Sequence, residues 1–211
     1  MGNHGGSSAC RDWIAAVVAG RRPATMPGVD AAAIVAMAAE EHVAGLLADA
    51  LAQAADGDAI PGLIDALQRS AKARAMQELA QQAQARLALA ALEEAGIAAL
   101  VLKGGALAYW LYDDPELRPR SDLDLLVATT GDATRAIDAL AGAGYALVAG
   151  VGVDDVAGFE VALRRDSRAG SHVIDLHWRL LNSSFLAAGF GFDELRAQSI
   201  PLPSLHPSAR G

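Results

Sequence analysis

The sequence predicts an α+β protein, on three observations. The first half of the 211-residue chain has helical hydrophobic spacing almost throughout. That period breaks at Ile97, where a short continuous apolar run begins. Short strand-like runs then alternate with helix-like stretches up to about Trp178. Hydrophobic residues make up 53% of the chain and charged residues 20%, which excludes general disorder. Mean hydropathy is +0.24, but alanine supplies much of it, and no run of about 18 uninterrupted apolar residues could span a bilayer.

Taken in order, Ser7 or Ser8 can cap a helix reaching Val18, with Trp13, Ile14, Val17 and Val18 on one side and Gly20 and Pro23 ending it. Asp30 can cap the next, which carries Ile34, Val35 and Met37 and fades between His42 and Gly45. Leu46, Leu47 and Leu51 continue the spacing to a turn at Asp56-Gly57-Asp58. From Pro61 a long periodic segment, with Leu63, Ile64, Leu67, Met76, Leu79, Leu87 and Leu92 as its apolar positions, runs to a glycine stop at Gly96. Ile97–Leu102 reads as a buried strand, Ala106–Tyr112 as a helix, and Asp122–Val127 as a strand alternating carboxylate and aliphatic residues. A helix from Thr130 or Asp132 to Leu140 follows, then strands at Tyr145–Val148, Phe159–Arg165 and His172–Trp178. Asp166–Ser171 is the expected hairpin loop between the last two. The expected organisation is a helical region over 8–96, an α/β core over 97–199 and a proline-rich, extended tail over 200–211.

The formal charge of -8 and pI near 5.0 argue against a protein that coats nucleic acid, which needs a basic surface. An enzyme that engages one phosphate ester through a bound metal is not excluded. Cys10, the single cysteine, can form no internal disulfide and no thiolate cluster. Met1–Ser8 lacks the basic start and apolar run of a signal peptide, so a cytoplasmic setting is expected.

Three stretches carry chemistry. Leu102-Lys103-Gly104-Gly105 lies where a strand exits and a helix begins. Paired glycines there let backbone N–H groups approach an anion at a helix N-terminus, and the plain alternative is a turn that needs flexible residues. It is not a Walker A loop, because the lysine precedes the glycines. In Ser121-Asp122-Leu123-Asp124-Leu125-Leu126-Val127, residues two apart share a strand face, so Asp122 and Asp124 project together. Adjacent carboxylates repel unless a cation lies between them, and Mg²⁺ favours such oxygen ligands; the alternative is a solvated strand face. In Val173-Ile174-Asp175-Leu176-His177-Trp178, Asp175 interrupts an apolar strand, where a lone charge is costly. A metal shared with Asp122 and Asp124 would give it a partner. His177 shares its face and is assigned a structural role, with a hydrogen-bonding role beside the site as the alternative.

These stretches, with Leu111-Tyr112, Pro115 and Arg118, resemble the nucleotidyltransferase superfamily of DNA polymerase beta. More narrowly, with the Asp175-Leu176-His177-Trp178 run, the chain is similar to an uncharacterised nucleotidyltransferase family within it. The resemblance covers roughly residues 30 to 180, and its specific motifs lie between Leu102 and Trp178. It implies a minimal nucleotidyltransferase core, a short mixed β-sheet flanked by helices. It further implies that Asp122, Asp124 and Asp175 are catalytic and ligate two Mg²⁺ ions, which lie about 3.5–4 Å apart in the two-metal scheme. Lys103, Gly104, Gly105, Arg118, Arg120 and Ser121 would bind the nucleotide, with a solvated loop as the plain alternative for the two arginines. The chain departs from the superfamily in a longer interval between the glycines and Asp122, and in Gly105 where many members have serine. Relatives also continue beyond the segment that resembles 205–210, so a truncated or compact member is expected.

The activity implied is Mg²⁺-dependent transfer of a nucleoside monophosphate from an NTP to a hydroxyl, with release of pyrophosphate. The acceptor is open among a small molecule, a peptide or protein side chain and a tRNA end. Similar enzymes include antibiotic-modifying and tRNA-modifying transferases, and the narrower family is associated with ribosomal peptide natural products. Two other classes stand beside this reading: a non-catalytic nucleotide-binding or accessory protein that keeps the fold, and a metal-dependent hydrolase. The alanine-rich helical faces suit either close packing or a homodimer interface.

Overall fold

The computed structural model describes residues 4–21, 23, 28–53, 62–148, 159–168, 170–180 and 191–211. The expected Asp56-Gly57-Asp58 turn and the Pro61 helix start lie outside these residues. The chain is an α+β protein with seven α-helices and a five-stranded mixed sheet among the described residues. It divides into two compact units, one of residues 1–76 with 115–119 and the other of residues 77–114 with 120–211.

The first unit is helical. It holds α1 (His4–Val18), α2 (Ala31–Glu40), α3 (Ala44–Gln53) and the start of α4 (Leu63–Glu94). The Asp30 carboxylate accepts from the Ala33 N–H at 2.8 Å, so α2 carries the N-cap its sequence announces. Trp13, Ile14 and Val17 of α1, Ile34 and Ala38 of α2, Leu47 of α3, and Leu63 and Leu67 of α4 share one buried cluster with Cys10. A 3-10 turn at Pro115–Leu117 belongs to this unit, and Leu117 fills the space a side chain at Gly45 would need.

The second unit begins within α4, whose C-terminus is closed by Gly96 at φ +66°. Its buried positions here are Glu78, Ala85, Ala88, Leu89 and Leu92. Met76, Leu79 and Leu87, expected on the apolar side, are exposed. The buried stripe includes Glu78 and two alanines, which carry little hydrophobic signal, and it faces away from those larger side chains.

The sheet order is β1-β2-β5-β4-β3, with β1 (Ala99–Val101), β2 (Asp122–Val127), β3 (Ala146–Leu147), β4 (Glu160–Ser167) and β5 (Gly170–His177). β2 and β5 run parallel; the other neighbours are antiparallel. The β4–β5 ladder continues to Ser167↔Gly170, so the expected hairpin loop is mostly strand. One face of the sheet buries Leu123, Leu125, Val127, Val161, Leu163, Ile174 and Leu176. They share a core with residues of α4, of α5 (Lys103–Trp110) and of α6 (Thr130–Gly142). The chain ends with α7 (Phe192–Gln198) and the segment 199–211. That segment, expected to be extended, folds back on itself: Ile200 and Gly211 exchange backbone bonds at 2.8 and 3.0 Å, and the Val101 N–H donates to the Arg210 carbonyl at 2.7 Å. Leu202, Leu205 and Ala209 are buried in the sheet core, which is the driving force for the fold-back.

Candidate functional site

Strand alternation puts Asp122, Asp124 and Leu126 of β2 on the sheet face opposite the core, with Val173, Asp175 and His177 of β5 beside them. The parallel register pairs Asp124 with Asp175 directly, one interstrand spacing of about 4.8 Å away. Asp122 faces Val173, one step nearer the strand start. The three aspartates expected to act together therefore share one face of adjacent strands. Burial raises the pKa of Asp175, and the negative charges of Asp122, Asp124 and Glu160 raise it further.

Lys103 opens α5 in the left-handed backbone region, at φ +49°, which costs a non-glycine residue about 1–2 kcal/mol. Its ammonium donates to Asp124 Oδ1 at 2.5 Å. The same aspartate accepts the Leu102 N–H through its backbone carbonyl at 2.9 Å, so one residue anchors both the turn and the lysine above it. The bond to Asp124 raises the lysine pKa. Burial opposes the charge on Asp124, but hydrogen bonds from His177 and Lys103 outweigh it and hold its carboxyl below the usual range.

His177 is not simply a core residue. Its Nε2 lies 3.0 Å from Asp124 Oδ1 and its Nδ1 lies 2.9 Å from Glu160 Oε2. Glu160 arrives from β4, paired in register with His177. Nothing in the local sequence marked Glu160, because only the β4–β5 register brings it here. For His177 the signal was present, in its i+2 spacing from Asp175.

Arg120 was expected among the phosphate contacts, and the structure places its guanidinium elsewhere. It forks onto Glu78 of α4, with Nη1 to Oε2 at 2.7 Å and Nη2 to Oε1 at 2.8 Å, and the two side chains are only 6% and 10% exposed. The Tyr109 hydroxyl donates to the same Glu78 carboxylate at 2.6 Å, and Gln81 Nε2 donates to the Arg120 carbonyl at 3.0 Å. A buried arginine needs a bidentate partner more than an ordinary loop residue does, and Glu78 supplies it. The fork anchors the entry to β2, and the Tyr109 bond ties in α5.

The paired glycines differ. Both lie in the first turn of α5 rather than ahead of the helix. Gly105 is buried, and a Cβ there would meet Val101 Cγ1 at 2.9 Å and Leu123 Cδ1 at 3.2 Å, so its role is close helix-to-sheet packing. A Cβ at Gly104 would meet only Arg120 Cβ, at 3.8 Å. Ser121 is exposed, and its hydroxyl donates to Asp122 Oδ2 at 3.3 Å. Arg118 belongs to the first unit, where its backbone N–H closes the 3-10 turn onto Pro115 at 3.1 Å.

The donor chemistry on this face fits a hard divalent cation. Its ligand atoms are carboxylate oxygens; burial first, and then repulsion from Asp122, Asp124 and Glu160, raise the pKa of Asp175, and a bound cation would offset both. Among the described residues, no group of three or more such side chains is gathered closely enough to hold an ion as it stands. The cationic partner of Asp124 in this structure is Lys103.

No curated protein and no solved structure matches the chain significantly. The family model described as uncharacterised nucleotidyltransferase matches residues 27–207, more of the chain than the motifs alone mark out. With the strand aspartates, the Lys103-Gly104-Gly105 helix start and the sheet beneath them all inside that match, the chain belongs to the uncharacterised nucleotidyltransferase family.

Proposed function

We propose that the protein transfers a nucleoside monophosphate from an NTP to an acceptor hydroxyl, releasing pyrophosphate, with Mg²⁺ as cofactor. The observation that supports this most is Asp124 in direct register with Asp175 on parallel strands, with Asp122 on the same face and Lys103 on Asp124. Asp122, Asp124 and Asp175 would hold the metal, and the chemistry it supplies when bound is neutralisation of charge on the attacking and leaving oxygens. Lys103, whose side chain is 62% exposed, can exchange its carboxylate partner for a triphosphate oxygen. The Gly104 N–H, in the first turn of α5, is available beside it. Asp175 retains a proton to higher pH than an ordinary aspartate, which suits it to accept the proton of the acceptor hydroxyl. Positioning and charge neutralisation supply most of the barrier reduction in such transfers, so a small, rigid sheet is a sufficient scaffold.

The test is calorimetric titration of each NTP with and without Mg²⁺, alongside the Asp122→Ala/Asp124→Ala double variant. Metal-dependent binding should be present in the parent and lost in the folded variant, with labelled nucleotide then traced to an acceptor. Failure of the folded parent to bind any NTP, or release of free phosphate with no nucleotide transferred, would overturn the reading.

A further inference from the structure

We propose that His177 and Glu160 are positioning residues that fix the orientation of Asp124 for cation binding, an inference that rests on the metal-dependent reading above. A strand aspartate rotates about two side-chain bonds, and a ligand oxygen that wanders loses affinity and geometry together. Here Asp124 is 7% exposed at its side chain, and two donors converge on one of its oxygens, Oδ1: Lys103 at 2.5 Å and His177 at 3.0 Å. Among the described residues none donates to Oδ2, so the carboxylate is turned with one oxygen satisfied and the other left for a ligand.

The two donors are not equivalent. Lys103 is exposed on a long flexible stem and can leave. His177 is 8% exposed, a rigid ring set in the middle of the sheet, and its second nitrogen is held by Glu160 at 2.9 Å. The β4–β5 ladder pairs Glu160 with His177, and the β2–β5 ladder pairs His177 with Leu126, two residues beyond Asp124. Backbone registers on both sides therefore set the Glu160–His177–Asp124 chain. Such carboxylate–imidazole contacts behind a ligand are the general means of holding it in place. His177 is thus the permanent partner of Asp124 and Lys103 the exchangeable one.

The experiment measures Mn²⁺ affinity by electron paramagnetic resonance on the parent, His177→Ala, His177→Gln and Glu160→Gln, with circular dichroism verifying the fold of each. His177→Ala should weaken Mn²⁺ binding about 10- to 100-fold. His177→Gln, whose amide can donate to Asp124 in place of Nε2, should recover most of that loss, and Glu160→Gln should weaken binding by less than His177→Ala, because the imidazole itself remains. A parent that binds Mn²⁺ with a folded His177→Ala variant that binds equally well would overturn the positioning role alone. A glutamine variant no better than alanine would also overturn it, since a donor to Asp124 would then be irrelevant. A folded parent with no Mn²⁺ affinity would overturn the metal-dependent reading and this inference together.

Discussion

Adjacent glycines that look alike in sequence should respond oppositely to the same substitution. In Gly105→Ala the new methyl meets Val101 Cγ1 at 2.9 Å and Leu123 Cδ1 at 3.2 Å. Val101 and Leu123 are 0% and 1% exposed, so neither can swing into solvent. Val101 is also β-branched, with little rotamer freedom. Overpacking of this kind costs about 1–3 kcal/mol, and the closed surroundings favour the upper end. Replacing glycine by alanine within a helix returns about 1 kcal/mol, leaving a net loss of about 2 kcal/mol. In Gly104→Ala the nearest atom is at 3.8 Å, so only the helical gain applies and stability should rise by up to about 1 kcal/mol. For a chain of this size the gap of about 3 kcal/mol between the variants corresponds to melting temperatures roughly 6–12 °C apart. Urea denaturation at constant m-value, with thermal melts beside it, would measure both. Equal stability of the two variants would refute the assignment of Gly105 to packing and return both glycines to a shared role in the turn.

Two further predictions concern buried polar groups. Glu78→Ala leaves the Arg120 guanidinium buried without its counter-charge and should cost about 3–5 kcal/mol by urea denaturation, whereas an Arg120 free to reach solvent would give less than about 1 kcal/mol. His172 is buried beside Arg120 and Arg165, and burial with those charges lowers its pKa to about 4. The unfolded chain then binds the extra proton first, so stability should be flat above about pH 6.5 and fall between pH 6.5 and 4, by about 3 kcal/mol in full. Stability measured at pH 7 and pH 5 should differ by about 2 kcal/mol from this group. The slope should flatten in His172→Phe; an unchanged slope in that variant would show that another group titrates.

Much of the architecture was legible because it depends on local periodicity. The change of period at Ile97, the cap at Asp30, the stop at Gly96 and the limits of β2 follow from rules that act within a few residues. The alternation that puts Asp122 and Asp124 on one face is likewise a property of one strand. The exposed Met76, Leu79 and Leu87 were misread for a related reason, since periodicity weighs large apolar residues and gives no signal for Glu78, Ala85 and Ala88, which are buried in their place.

What a single segment cannot encode is which strand lies beside it and in what register. The Asp124↔Asp175 pairing, and the arrival of Glu160 behind His177, depend on ladders that join residues far apart in the chain. Arg120 shows the same limit from the other side. The family resemblance implied a phosphate contact for it, but 42 residues upstream Glu78 offers a buried carboxylate, and a guanidinium leaving water takes the partner that satisfies it. Gly105 was read as half of a glycine pair serving an anion or a flexible turn, and only the packing of α5 on β1 and β2 decided that core side chains occupy the space beside it. The sequence by itself determined which residues could do the chemistry and on which strand face they stand. Tertiary structure decided which of them meet, because long-range pairing and burial assign each charge its partner.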